Sequence, residues 1–193
     1  MHRSFFLALA CAVIAFSPAR AADTDAPEGF TPLFNGKDLT GWKVHGGKLK
    51  AWGAADGLLF TSGSGGGWLM TEKEYADFEL RLEYKLPTNG NSGVTLRSPM
   101  KGDPAYTGME IQILDNPKYK NLKPAQYTGS IYDVVPPVKD ATKPVGEWNQ
   151  FRIVAKGSRI TIELNGVEIV NANLEEHKDK AKRHPGILRD KGH

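Results

Sequence analysis

Residues 78–86 read Phe78-Glu79-Leu80-Arg81-Leu82-Glu83-Tyr84-Lys85-Leu86, an unbroken alternation of apolar and charged side chains over nine positions. Period two is the period of a strand, with one face on a core and the other in water. Pro87-Thr88-Asn89-Gly90-Asn91-Ser92-Gly93 is turn chemistry, and a strand resumes at residues 94–97. The C-terminal half repeats the theme. Phe151, Ile153 and Ala155 alternate with Arg152 and Val154, and Gly157-Ser158 makes a turn. Ile160-Thr161-Ile162-Glu163-Leu164 then runs through Asn165-Gly166 into Val167-Glu168-Ile169-Val170, the pattern of a hairpin whose turn needs positive φ at both central residues. No segment beyond residue 22 carries a sustained 3.6-residue stripe. Residues 175–183 are charged all round and read as an exposed loop or a short helical turn. Short antiparallel strands with glycine-rich turns predict an all-β sandwich or barrel.

The ends of the chain qualify its length of 193 residues. A short basic start, an apolar run over residues 5–16 and the tripeptide Ala19-Arg20-Ala21 form a secretory signal peptide over residues 1–21. The run is too short to span a bilayer. Cleavage after Ala21 leaves 172 residues and removes Cys11, Arg3 and Arg20, which lowers the net charge from +3 to +1. Residues 22–28 form a polar leader and residues 29–193 a single domain. The expected product is secreted or periplasmic, with no membrane anchor after cleavage. Without cysteine it has no disulfide and no thiol nucleophile. It carries no dense Lys/Arg stripe of the kind that binds nucleic acid.

Candidate chemistry concentrates in Gly108-Met109-Glu110-Ile111-Gln112-Ile113-Leu114-Asp115-Asn116. Strand alternation puts Glu110 and Gln112 on one face and Met109, Ile111 and Ile113 on the other. Asp115 joins the polar row only if a bulge shifts the register. The row is either a solvent-facing strand surface or a sugar-positioning one. Arg97 either holds a substrate carboxylate or hydroxyl, or pairs structurally with Glu110 or Asp115. Tyr127-Thr128-Gly129-Ser130-Ile131-Tyr132-Asp133 mixes aromatic and hydrogen-bonding groups, as saccharide sites do. Trp42, Trp52, Trp68 and Trp148 are mostly core candidates, with one or two available to stack on a ring. The histidines show no metal-ligand spacing. Gly63-Ser64-Gly65-Gly66-Gly67 lacks the Gly-Lys-Ser/Thr of a phosphate loop, and there is no Gly-x-Ser-x-Gly elbow.

Several phrases together resemble one family: Gly29-Phe30-Thr31-Pro32-Leu33-Phe34-Asn35-Gly36-Lys37-Asp38-Leu39-Thr40-Gly41-Trp42, Asn91-Ser92-Gly93-Val94, Glu110-Ile111-Gln112-Ile113-Leu114-Asp115-Asn116, Thr128-Gly129-Ser130-Ile131-Tyr132, Glu147-Trp148-Asn149 and Leu164-Asn165-Gly166. The family is that of the 3-keto-disaccharide hydrolases, also described as 3-keto-glucoside lyases and 3-keto-glucal hydratases. The resemblance implies a concanavalin A-like jelly-roll β-sandwich with a sugar-binding face. It implies cleavage of an oligosaccharide or glycoside that a separate enzyme has oxidised at C3, by elimination across C1–C2 and hydration. Glu110 becomes the candidate base or acid and Asp115 a second carboxylate. Gln112 and Arg97 become orienting donors, and Asn91 and Tyr132 substrate-binding groups. A divalent metal is an implied possibility without assigned ligands. Two other readings stay open. Glu110, Gln112 and Asp115 match the Glu-x-Asp-x-x-Glu spacing of retaining β-glucanases, with an amide in the middle and a shortened last acid. A non-catalytic carbohydrate-binding module is the other. Members of the family usually continue past the equivalent of Gly192-His193, so the resemblance also leads one to expect two closing strands that this sequence does not contain.

Overall fold

A computed structural model describes residues 26–63 and 66–193. The expected signal peptide, residues 22–25 of the leader, and two residues of the glycine-rich loop lie outside the described residues. Among the described residues there are ten strands: β1 (Trp42–His45), β2 (Trp52–Ala55), β3 (Leu58–Thr61), β4 (Trp68–Thr71), β5 (Phe78–Lys85), β6 (Asn91–Leu96), β7 (Met109–Leu114), β8 (Trp148–Lys156), β9 (Arg159–Leu164) and β10 (Val167–Asn173). Every pairing is antiparallel. The all-β sandwich expected from the alternation is the architecture observed. One layer is a four-stranded sheet in the order β10-β9-β8-β5, and the other is built on the β6–β7 pair. Strands β5 and β8 are neighbours although β6 and β7 come between them in the chain. The connection therefore crosses to the second layer and returns.

The core lies between the layers. Met109, Ile111 and Ile113 on the odd face of β7 meet Phe151, Ile153 and Ala155 of β8 and Ile160, Ile162 and Leu164 of β9. Each fully buried isoleucine removes enough apolar surface from water to contribute about 2–3 kcal/mol. The anticipated hairpin forms at Asn165 and Gly166, with φ of +54° and +78°. A register shift between Glu168 and Val170 then lets the consecutive residues Ile169 and Val170 both enter the core. The charged face of the alternation that opened the sequence carries a cross-strand network. Arg152 of β8 bonds Glu79 of β5 at 2.8 Å and Glu163 of β9 at 2.6 Å.

Smaller elements surround the sandwich. β1 pairs with β4 and β2 with β3 as two-stranded ribbons. The charged segment after β10 is the 3-10 helix Leu174–Lys182, followed by a second, Pro185–Leu188. Among the described residues, no helix is long and apolar enough to cross a membrane. Strand β6 starts at Asn91, earlier than the sequence suggested. It ends before Arg97, whose φ of +53° turns the chain out of the sheet.

Candidate functional site

The register of β6 on β7 is regular, with Asn91 opposite Leu114, Gly93 opposite Gln112 and Thr95 opposite Glu110. The other edge of β7 is covered by residues 129–132. Gln112 N donates to Ser130 O at 3.1 Å and Tyr132 N donates to Glu110 O at 2.8 Å. Directly opposed residues share a face. Asn91, Gly93, Thr95, Glu110, Gln112, Ser130 and Tyr132 therefore lie on one face, away from the sandwich core. The face is not an ordinary solvent surface. Glu110 is only 9% exposed, Gln112 5% and Ser130 fully buried.

Glu110 occupies space that a glycine leaves open. A Cβ on Gly93 would lie 2.1 Å from Glu110 Oε1 and 2.6 Å from its Cγ. A glycine inside a strand often marks such a close approach. No described residue donates a hydrogen bond or presents a cation to the Glu110 carboxylate. Burial, with a smaller repulsion from Asp103, pushes its pKa up to about 7. Tyr132, beside it, accepts a hydrogen bond from Gln126 Nε2 at 3.2 Å, so its own proton remains free to donate. Burial also raises the phenol's pKa and keeps it protonated. Asp103 caps the short helix α1 (Pro104–Thr107) through Ala105 N, and that turn carries Tyr106, whose ring packs edge-on to Tyr132 at 6.5 Å. Gln112 Oε1 folds back to accept from Ile113 N at 2.9 Å, which leaves the amide hydrogens as its remaining donors. Ser130 Oγ is buried without a hydrogen-bond partner.

Two expected site residues are elsewhere. With no register shift along β6–β7, Asp115 keeps the parity of Met109, Ile111 and Ile113. Its carboxylate accepts from Asn89 N at 2.8 Å, fixing the turn before β6. The bulge that would bring Asp115 into the polar row does not form along β6–β7. Arg97 pairs with neither Glu110 nor Asp115. It is buried, donating to Ala76 O at 3.0 Å, Gly157 O at 2.8 Å and Arg189 O at 3.2 Å, with Asp77 at 3.3 Å as its carboxylate. Three backbone carbonyls and one carboxylate engage it and only 2% of it is exposed, so it ties the fold together.

A sequence model described as a 3-keto-alpha-glucoside-1,2-lyase-like domain matches residues 29–193. The chain belongs to that family. It is also 32% identical to a 3-keto-disaccharide hydrolase of Bacteroides thetaiotaomicron, a match covering 76% of this chain and 59% of that protein. The chain thus spans about three-fifths of that relative's length. Two crystal structures of proposed glycosyl hydrolases from Parabacteroides distasonis share the fold. One is 28% identical with a TM-score of 0.70, covering 84% of each chain. The other is 32% identical with a TM-score of 0.66, covering 76% of this chain and 73% of that one.

In this 3-keto-alpha-glucoside-1,2-lyase-like domain the structure brings together Glu110, Gln112, Asn91 and Tyr132, and separates Arg97 and Asp115 from them. It adds Gly93, Ser130, Tyr106 and Gln126, none of which sequence reasoning singled out as a site residue. A signal existed for two of them. Gly93 stands inside what is now a strand, and Ser130 and Tyr132 alternate around a buried Ile131. For Tyr106 and Gln126 there was none, because short turns far apart in sequence deliver them. Trp42 donates its indole N–H to Leu33 O, and Trp148 lies under Lys85. Among the described residues, no three His, Cys, Asp or Glu side chains converge to hold a metal ion. Glu110 is the single carboxylate on its face, beside the neutral groups Gln112, Asn91 and Tyr132, a weak donor set for a divalent cation.

Proposed function

We propose that this domain cleaves 3-keto-glycosides, with Glu110 as the proton-transfer group. The observation that carries the reading is a buried carboxyl with a pKa near 7, unpaired, on the same face as a protonated tyrosine and a set of amide and hydroxyl donors. Proton transfer is most effective when the group's pKa lies near the working pH. The relative from Bacteroides thetaiotaomicron supports the substrate class by its name.

In the proposed reaction a ketone at C3 acidifies the C2 proton. Glu110 carboxylate removes that proton, and the C2–H electron pair moves into the enolate at C3. Tyr132, on the same face, donates to the enolate oxygen. Collapse of the enolate forms the C1–C2 double bond as the C1–O bond breaks, and the departing oxygen takes up a proton. Water then adds across the double bond, with hydroxyl at C1 and the proton returned to C2, so the net change is hydrolysis. Gln112 and Asn91 orient the sugar, with Ser130 buried behind them. An upstream enzyme of the sugar-oxidising class supplies the ketone. Export follows from the signal sequence over residues 1–21. Direct hydrolysis by two carboxylates is less well supported, because that mechanism needs a second acid about 5 Å away and Asp115 is turned to the Asn89 amide.

The test compares a 3-keto-glucoside with its unoxidised parent. Turnover of the keto sugar alone, lost by about 100-fold or more in Glu110→Gln, is expected. Turnover of the plain glucoside would replace the reading with a glucanase, and binding without turnover would replace it with a carbohydrate-binding module.

A further inference from the structure

Away from the Glu110 face lies a concavity of about 820 Å³, between the strap at residues 123–136 and the 3-10 helix Leu174–Lys182. Its charged lining is Lys123, Lys180, Lys182 and Arg183 against Asp133 and Asp179. Four cations face two carboxylates, and part of this charge is already committed. Arg183 pairs with Asp133 at 3.2 Å, and Lys180 Nζ donates to Val134 O at 2.5 Å. The ammonium groups of Lys123 and Lys182 have no acceptor among the described residues.

The floor of the groove supplies an independent observation. His184 lines it with its side chain 4% exposed, and its Nε2 is buried without a hydrogen-bond partner. Asp133 Oδ2 is 3.9 Å away, beyond hydrogen-bond reach. Leaving such a group unpaired is unfavourable, and an acceptor placed beside it offsets that cost. Burial keeps the imidazole toward its neutral form. Asp133 opposes that effect while Arg183 and Lys180 add to it.

We propose that this groove is a subsite for an anionic substituent, a carboxylate, sulfate or phosphate, carried on the aglycone of the sugar ligand. Two rings connect it to the Glu110 face. Tyr106 packs on His184 at 5.3 Å and edge-on to Tyr132 at 6.5 Å, and Tyr132 N bonds Glu110 O. A sugar against Glu110 and Tyr132 therefore has one ring, that of Tyr106, between it and the His184 floor of the groove, and a substituent has to reach past that ring. Lys123 and Lys182 supply the charge, and His184 Nε2–H, in that tautomer, supplies a directed donor. The subsite rests on the sugar-processing reading only in taking its ligand to be a glycoside.

The experiment measures binding to the full chain, with no turnover, of 4-carboxyphenyl β-glucoside and phenyl β-glucoside, together with the His184 imidazole NMR signal. The charged glucoside is expected to bind about 10-fold more tightly at low salt and to shift the His184 signal. Its advantage is expected to vanish in a folded Lys123→Gln/Lys182→Gln variant and in high salt. Equal affinity for the two glucosides, no binding of either, or an advantage untouched by the double variant overturns the proposal. So does an equal His184 shift from sodium sulfate alone, which would make the groove a simple ion site. Neither probe is a keto sugar. A chain that prefers the charged glucoside but never cleaves a keto sugar keeps the subsite and loses the catalytic reading.

Discussion

Glu110 binds its proton more tightly in the folded chain than in the unfolded one, where a glutamate titrates near its ordinary value of 4.5 rather than about 7. Between those values the native state holds more protons than the unfolded state, so stability falls as pH rises. The full difference is about 3 kcal/mol, all of it lost above the folded value. Glu110→Gln is therefore expected to raise stability at pH 8 and leave it nearly unchanged at pH 4.5, read by urea unfolding at the two pH values. An equal change at both would mean that the carboxyl is not desolvated. Activity is expected to follow the opposite limb, rising through about pH 7 as the base form appears. Alternation in the sequence identifies Glu110 and the face it shares with Gln112. It carries no information about desolvation, which comes from Gly93 beneath the side chain and from residues 129–132 alongside. Arg97 was less legible still. Three of its four acceptors are backbone carbonyls, and a carbonyl leaves no mark in a sequence.

At the scale of elements, the Glu110 face depends on a strand pair that tolerates one side chain where two would normally sit. Gly93→Ala places a methyl group 2.1 Å from Glu110 Oε1. The side chain must move, while the core on the opposite face of β7 is untouched. A fall in keto-sugar turnover of about 100-fold is expected from an ångström-scale displacement, with a stability loss of only about 1–3 kcal/mol. Unchanged turnover in the folded variant would show that the Glu110 position is not critical. Local turn chemistry explains why the β9–β10 hairpin was readable: Asn165 and Gly166 specify their own backbone. Asp115 would join the Glu110 face only through a bulge, and nothing local specifies one there. The Asn89 amide, 26 residues earlier, competes for the carboxylate and wins it.

The whole molecule is unevenly held. Its buried core draws on β6 to β10, whereas β1 to β4 form ribbons outside the main cluster. Two-stranded ribbons have little stability of their own. Hydrogen exchange is therefore expected to be slowest in β8 and β9, which have sheet neighbours on both sides, and markedly faster in residues 42–71. Equal protection in the ribbons would mean that they share the cooperative unit of the sandwich. The sandwich class was legible because alternation is a local signal repeated in many strands. The split into a strong and a weak half was not, because it depends on which strands meet across the core. Arg97 bears on this in another way. Its guanidinium ties residues that lie 21, 60 and 92 positions away, at Ala76, Gly157 and Arg189. Contacts closing such long loops form late on the folding route, after the strands they connect have docked. A lysine keeps the charge but not the planar fork of donors. Arg97→Lys should then refold at nearly the parent rate and unfold about 100-fold faster, the signature of a bond made after the transition state. Stopped-flow refolding slowed in the same proportion would put Arg97 in the folding nucleus. Otherwise this one buried cation governs how long the native chain persists rather than how fast it forms.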